Sequence, residues 1–64
     1  MKEKTSQRLN KATLIANLRE IADKIEKDSL QIGGKIIVLP ESAVFTLEWE
    51  EKISKRKLEI EIEW

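Results

Sequence analysis

No cysteine and no histidine occur in these 64 residues. Without cysteine there is no disulfide to constrain the unfolded chain and no thiolate to hold structural zinc. Without histidine the commonest metal ligand and the usual general base near neutral pH are both missing. Tyrosine is absent as well, and there is one proline and one phenylalanine. The two glycines, Gly33 and Gly34, are adjacent, so neither a GxGxxG nor a P-loop spacing exists. A charge excess of one sign is also lacking. Twelve basic residues balance twelve acidic ones, which argues against a dedicated nucleic-acid or anionic-membrane protein. No apolar run approaches the roughly 18 residues of a membrane span, and no secretory leader is recognisable. The expectation is therefore a cytoplasmic protein with no membrane association.

What is present is a pattern. Leu58-Glu59-Ile60-Glu61-Ile62-Glu63-Trp64 alternates apolar and acidic residues without a break. Period-two alternation marks a strand with one face buried and one face wet. A tail that finishes on Trp64 is expected to be docked rather than frayed.

Upstream, residues 10–27 read as an amphipathic helix. Leu14, Ile15, Leu18, Ile21, Ala22 and Ile25 fall on one face, an arc of about 120°. Asn10 is a good N-cap, with its side chain in reach of the Thr13 amide. Glu20 with Lys24, and Asp23 with Lys27, stand in the favourable i, i+4 order. Residues 29–39 read as a hairpin turning on Gly33-Gly34, where positive φ is available at both turn positions. Its second arm, residues 35–39, is apolar on both faces, so either parity can face the helix. Pro40 ends that ladder. Residues 43–50 form a third strand, with Phe45, Leu47 and Trp49 on one face. A charged turn leads to a fourth strand over residues 55 or 56 to 64.

Charge suggests the register of this last hairpin. If Glu48 faces Lys57 and Glu50 faces Lys55, unlike charges are opposed, a gain of roughly 0.2–1 kcal/mol per pair. A shift that sets Glu48 against Glu59 opposes like charges, so the first register is expected. The fold class that follows is α+β. One amphipathic helix packs across one face of a four-stranded antiparallel β-meander, in a single domain spanning residues 1–64. Residues 1–9 are expected as a flexible arm or a short extra edge strand over residues 3–8.

Candidate chemistry is sparse. Ser6, Ser29, Ser42 and Ser54 sit in arms or turns with no base motif beside them. Glu59, Glu61 and Glu63 line one strand face roughly 6.6 Å apart and diverge, whereas Ca²⁺ needs six to eight converging oxygens. No enzyme, no cofactor and no metal are expected. Trp49 and Trp64 lie at inward parity, so the structural expectation is that they close the two ends of a core under the helix. The competing one is that at least one of them anchors a partner. Lys2, Lys4, Arg8 and Lys11 form a basic run without interleaved aromatics, expected as a solvated tail.

The string Leu18-Arg19-Glu20-Ile21-Ala22-Asp23-Lys24-Ile25 leads into Leu30-Gln31-Ile32-Gly33-Gly34, then Ile37-Val38-Leu39-Pro40, then the alternating finish on Trp64. This order resembles the amphi-Trp domain, a family of small prokaryotic proteins. The resemblance covers about residues 5–64, and Trp49 stands outside the family pattern. It implies a fold and carries no activity, cofactor or catalytic residue.

Two functions follow as expectations. The first is a non-catalytic interaction or scaffold domain, with a protein partner or itself as a homodimer. Its candidate contact residues are Ile37, Leu39, Trp49 and Trp64. The alternative is a nucleic-acid-associated accessory protein that uses the basic N-terminal arm.

Overall fold

The computed structural model describes residues 2–64, and Met1 of the expected arm lies outside them. The chain runs α1 (Lys11–Glu26), β1 (Leu30–Ile32), β2 (Lys35–Ile37), β3 (Val44–Glu51) and β4 (Arg56–Glu63). The class is α+β, as the periodicities predict.

Helix α1 starts where its cap chemistry places it. The Asn10 Oδ1 accepts from the Thr13 amide at 2.8 Å. Its end is a Schellman motif: the Ser29 amide donates to the Lys24 carbonyl at 2.8 Å, and the Asp28 amide to Ile25 at 3.2 Å. Asp28 takes the left-handed position at φ 55°, where glycine is the usual occupant. Lys24–Glu20 at 3.1 Å and Lys27–Asp23 at 3.0 Å are the two i, i+4 pairs expected from the spacing.

The first hairpin pairs Leu30 with Ile37, Gln31 with Ile36 and Ile32 with Lys35. Gly33 and Gly34 carry it round at φ 58° and 78°. Strand β2 stops at Ile37, two residues before the expected end. The next hydrogen-bonded pair would be Asp28 with Leu39, and the Asp28 amide is given to the Ile25 carbonyl in the helix cap. The parity left open by sequence is settled here. Leu30, Ile32 and Ile37 are half-buried, while Ile36 and Val38 are exposed.

The second hairpin departs from the expected register. Glu48 lies opposite Glu59, and Glu50 opposite Lys57. Apolar pairing outweighs the charge argument. The observed alignment sets Phe45 against Ile62, Leu47 against Ile60 and Trp49 against Leu58, and such aromatic and branched pairs are worth roughly 0.2–1 kcal/mol each. The charge-matched alignment would still oppose Phe45 with Ile60 and Leu47 with Leu58 but would set Trp49 against Arg56. The observed one gains the Trp49–Leu58 pair, and it keeps two unlike charge pairs of its own, Glu50 with Lys57 and Glu51 with Arg56. The like pair is also relieved along the strand, because the Lys57 ammonium bonds the Glu59 carboxylate two residues away. Main-chain bonds between Lys52 and Lys55 close a two-residue tip at Ile53-Ser54.

The single meander is the second departure. The strands form two separate two-stranded sheets, β1–β2 and β3–β4. Helix α1 packs on β1, and β3–β4 makes no comparable packing with the helix or the first hairpin. Residues 2–10 carry no strand either, so the extra edge strand is not formed. Glu3 nonetheless lies against the Gly33 turn, and Leu9 is half-buried, so this segment follows the first hairpin without joining its ladder.

Candidate interaction surface

The parity of β3 and β4 sorts the second hairpin into two unlike faces. Phe45, Leu47, Trp49, Leu58, Ile60 and Ile62 share one face, in three directly opposed pairs. Thr46, Glu48, Glu50, Lys57, Glu59 and Glu61 share the other. In a helix-covered sheet the apolar face would be buried. Here its six residues are exposed, from 38% at Ile62 to 64% at Phe45. The apolar stripe of α1 is similarly uncovered, from 39% at Ile15 to 48% at Leu14, with Leu18 and Ile21 between them. Among the described residues none is fully buried.

The accessible area quantifies this. The chain exposes 6375 Å². A compact monomer of 7.5 kDa exposes about 4,250 Å² by the usual scaling. The excess is about 2,100 Å². The radius of gyration tells the same story: 13.5 Å, against about 10.7 Å for a compact 64-residue domain. Monomeric proteins rarely leave an apolar patch beyond a few hundred Å² open to water.

The two tryptophans do not cap a core. Trp49 is 60% exposed opposite Leu58, near the hairpin tip, and Trp64 is 63% exposed one residue beyond β4. The expectation of a docked final tryptophan therefore fails within one chain, because no layer lies over this hairpin. The four sequence-picked residues do not converge. Ile37 sits in the first hairpin opposite Leu30, and Leu39 is half-buried in the link between hairpins. Trp49 and Trp64 stand about six residues apart along the second hairpin, roughly 20 Å. Sequence reading placed Phe45, Leu47, Ile60 and Ile62 in the core and so missed them as surface.

The polar face is acidic. The Lys57–Glu59 bond holds the Glu59 carboxyl below the ordinary glutamate range and the Lys57 ammonium above the ordinary lysine value. At the hairpin tip a shallow hollow is lined by Glu50, Lys52, Lys55 and Lys57, with Lys52–Glu50 at 3.1 Å. A second, wider hollow lies between α1, β1 and the N-terminal segment, lined by Asn17, Ile21, Leu30 and Ile32 among others. Thr5, Glu20 and Lys24 also line this second hollow, with the Lys24 ammonium paired to the Glu20 carboxylate at 3.1 Å. Among the described residues no three His, Cys, Asp or Glu side chains converge to hold a metal ion, and no helix is long and apolar enough to cross a membrane. Comparison with protein-family models, with curated proteins and with solved structures found no match.

Proposed function

We propose that this chain is a small cytoplasmic, non-catalytic interaction domain that works by covering its apolar faces with a protein partner. One observation carries the reading: the unbroken row Phe45, Leu47, Trp49, Leu58, Ile60 and Ile62 stands open to water on a structured hairpin. An isolated two-stranded hairpin is marginal in water, so the row gains its stability from whatever packs on it. The resemblance to the amphi-Trp domain fits this reading, since the alternating strand is the feature they share. Its helix-over-sheet layering is the arrangement these faces are built to complete.

Small-angle scattering on a dilution series tests the proposal. At low concentration the chain should expand to 13.5 Å or more and bind an apolar dye such as ANS. As the faces are covered, dye binding should fall. A dye-silent monomer of about 10.7 Å at every concentration would remove the basis for an interaction surface.

A further inference from the structure

We infer that the partner is a second copy of this chain, bound by reciprocal exchange of the β3–β4 hairpin. Each copy's hairpin lies over α1 and beside β1–β2 of the other, and residues 38–43 are the hinge. This rests on the reading that the apolar faces are an assembly surface, and it names what covers them.

The area comes first. The excess of about 2,100 Å² per chain becomes about 4,200 Å² for two copies. That falls in the range of obligate homodimer interfaces, about 2,000–5,000 Å². A standard-size interface of about 1,600 Å² would leave much of it wet.

Complementarity comes second. Each chain carries one uncovered helix stripe and one uncovered sheet face. Leu14 to Ile21 spans about 10.5 Å along the helix. Phe45 to Trp49 spans about 13 Å along the strand. The two faces match in length, and a two-fold operation covers both pairs at once. Face-to-face stacking of two β3–β4 hairpins would cover the sheets but leave Leu14, Ile15, Leu18 and Ile21 bare on both helices.

The hinge comes third. Six residues connect Ile37 to Val44, with Pro40 among them. Proline fixes φ and restrains the residue before it, so the link favours extension over a tight return. Six residues reach at most about 20 Å, enough to deliver the hairpin to a neighbour. A short stiff hinge is the usual setting for exchange. The exchange also gives each first hairpin a strand neighbour, rebuilding the helix-covered sheet from two chains.

Complementation between two disabled copies tests the idea, using the full chain throughout. Leu18→Asp spoils the helix stripe and Leu47→Asp the sheet face. By sedimentation equilibrium each variant alone should dimerise at least a hundredfold more weakly than the native chain. In a one-to-one mixture one helix and one sheet face are both intact, so a 1:1 dimer and its helical circular dichroism should return where neither variant alone shows them. Failure of the mixture to dimerise would overturn the exchange. Native-like dimerisation of Leu18→Asp would also overturn it, in favour of stacked sheets, while the assembly surface stands. A native chain that is monomeric throughout removes both. A second variant keeps every apolar residue: four Gly/Ser residues inserted after Pro40. It should shift the population at least tenfold toward a monomer of undiminished helicity, because the hairpin can then fold back on its own helix. An unchanged dimer affinity would count decisively against exchange.

Discussion

Trp49→Ala removes the largest side chain of the apolar row, at its hairpin-tip end. A buried tryptophan takes about 150–250 Å² out of water. Since Trp49 is 60% exposed in the single chain, about 90–150 Å² remains to be covered on association. At about 25 cal/mol per Å² this is worth about 2–4 kcal/mol per chain. A two-fold dimer contains the residue twice, and alanine recovers only part of the loss. The dimer should therefore weaken by about 4–6 kcal/mol, or on the order of 10³–10⁴ in Kd. Sedimentation equilibrium measures this directly. Glu61→Ala, on the opposite face of the same hairpin, serves as the control and should stay within threefold of the native value.

Fluorescence gives an independent reading of the same event. In a Trp64→Phe background, Trp49 is the sole indole. Its emission should move to the blue as concentration rises and the ring leaves water. A Trp49→Ala dimer within tenfold of the native affinity would refute the energetic argument. Dimerisation with no blue shift would show that the chain associates through another surface.

Three further outcomes follow from local geometry. Asp28→Gly should stabilise the fold by about 0.5–1 kcal/mol, because φ 55° costs a non-glycine residue about that much at a helix C-cap; urea denaturation at fixed chain concentration checks it. Gly33→Ala should destabilise by about 1 kcal/mol, since φ is 58° there. Adding Glu3→Ala should not rescue it, because the Glu3 carboxylate that a new Cβ would meet at 2.6 Å is the free end of a flexible side chain. Glu59 should titrate below an ordinary glutamate, because Lys57 stabilises its charged form. That contribution is present above the unfolded-state value and is lost as pH falls through the lower folded value. Carboxyl NMR shifts should show Lys57→Met restoring ordinary titration.

Local structure was legible where the cause is local. Asn10 announced the helix start, Gly33-Gly34 the turn, and the Glu20 and Asp23 spacings their ion pairs, because each depends on neighbours within four residues. The register of the second hairpin was not, because two terms of similar size compete there. Weighing Glu48 against Glu59 alone overlooked both the Trp49–Leu58 pair and the relief supplied by Lys57 along the strand. That Phe45, Leu47 and Trp49 stay uncovered within one chain was illegible for a deeper reason. Alternation records that a face is to be buried, and a face buried by a chain's own helix has the same alternation as one buried by another copy's. The distinguishing quantity is the accessible area of the folded chain, which no window of sequence contains.

The polar face explains why such an apolar surface would give a closed pair rather than a growing fibre. On β3–β4 the side away from the apolar row carries Glu48, Glu50, Glu59 and Glu61, with Lys57 as its one cation among the paired positions. Two such faces repel each other, so sheets cannot stack through both sides in succession. Association through the apolar side is left as the favourable contact, and a two-fold operation uses that side up in both copies at once. On this reading the pairing of Glu48 with Glu59 has a use. A like-charge pair costs the hairpin a few tenths of a kcal/mol, and its two glutamates keep the outer surface of the dimer acidic on balance despite Lys57. Replacing Glu48 and Glu59 by threonine should therefore strengthen the isolated hairpin while promoting assemblies larger than two. Light scattering at high chain concentration distinguishes the cases: a variant that remains strictly dimeric would show that the acidic face does not limit assembly.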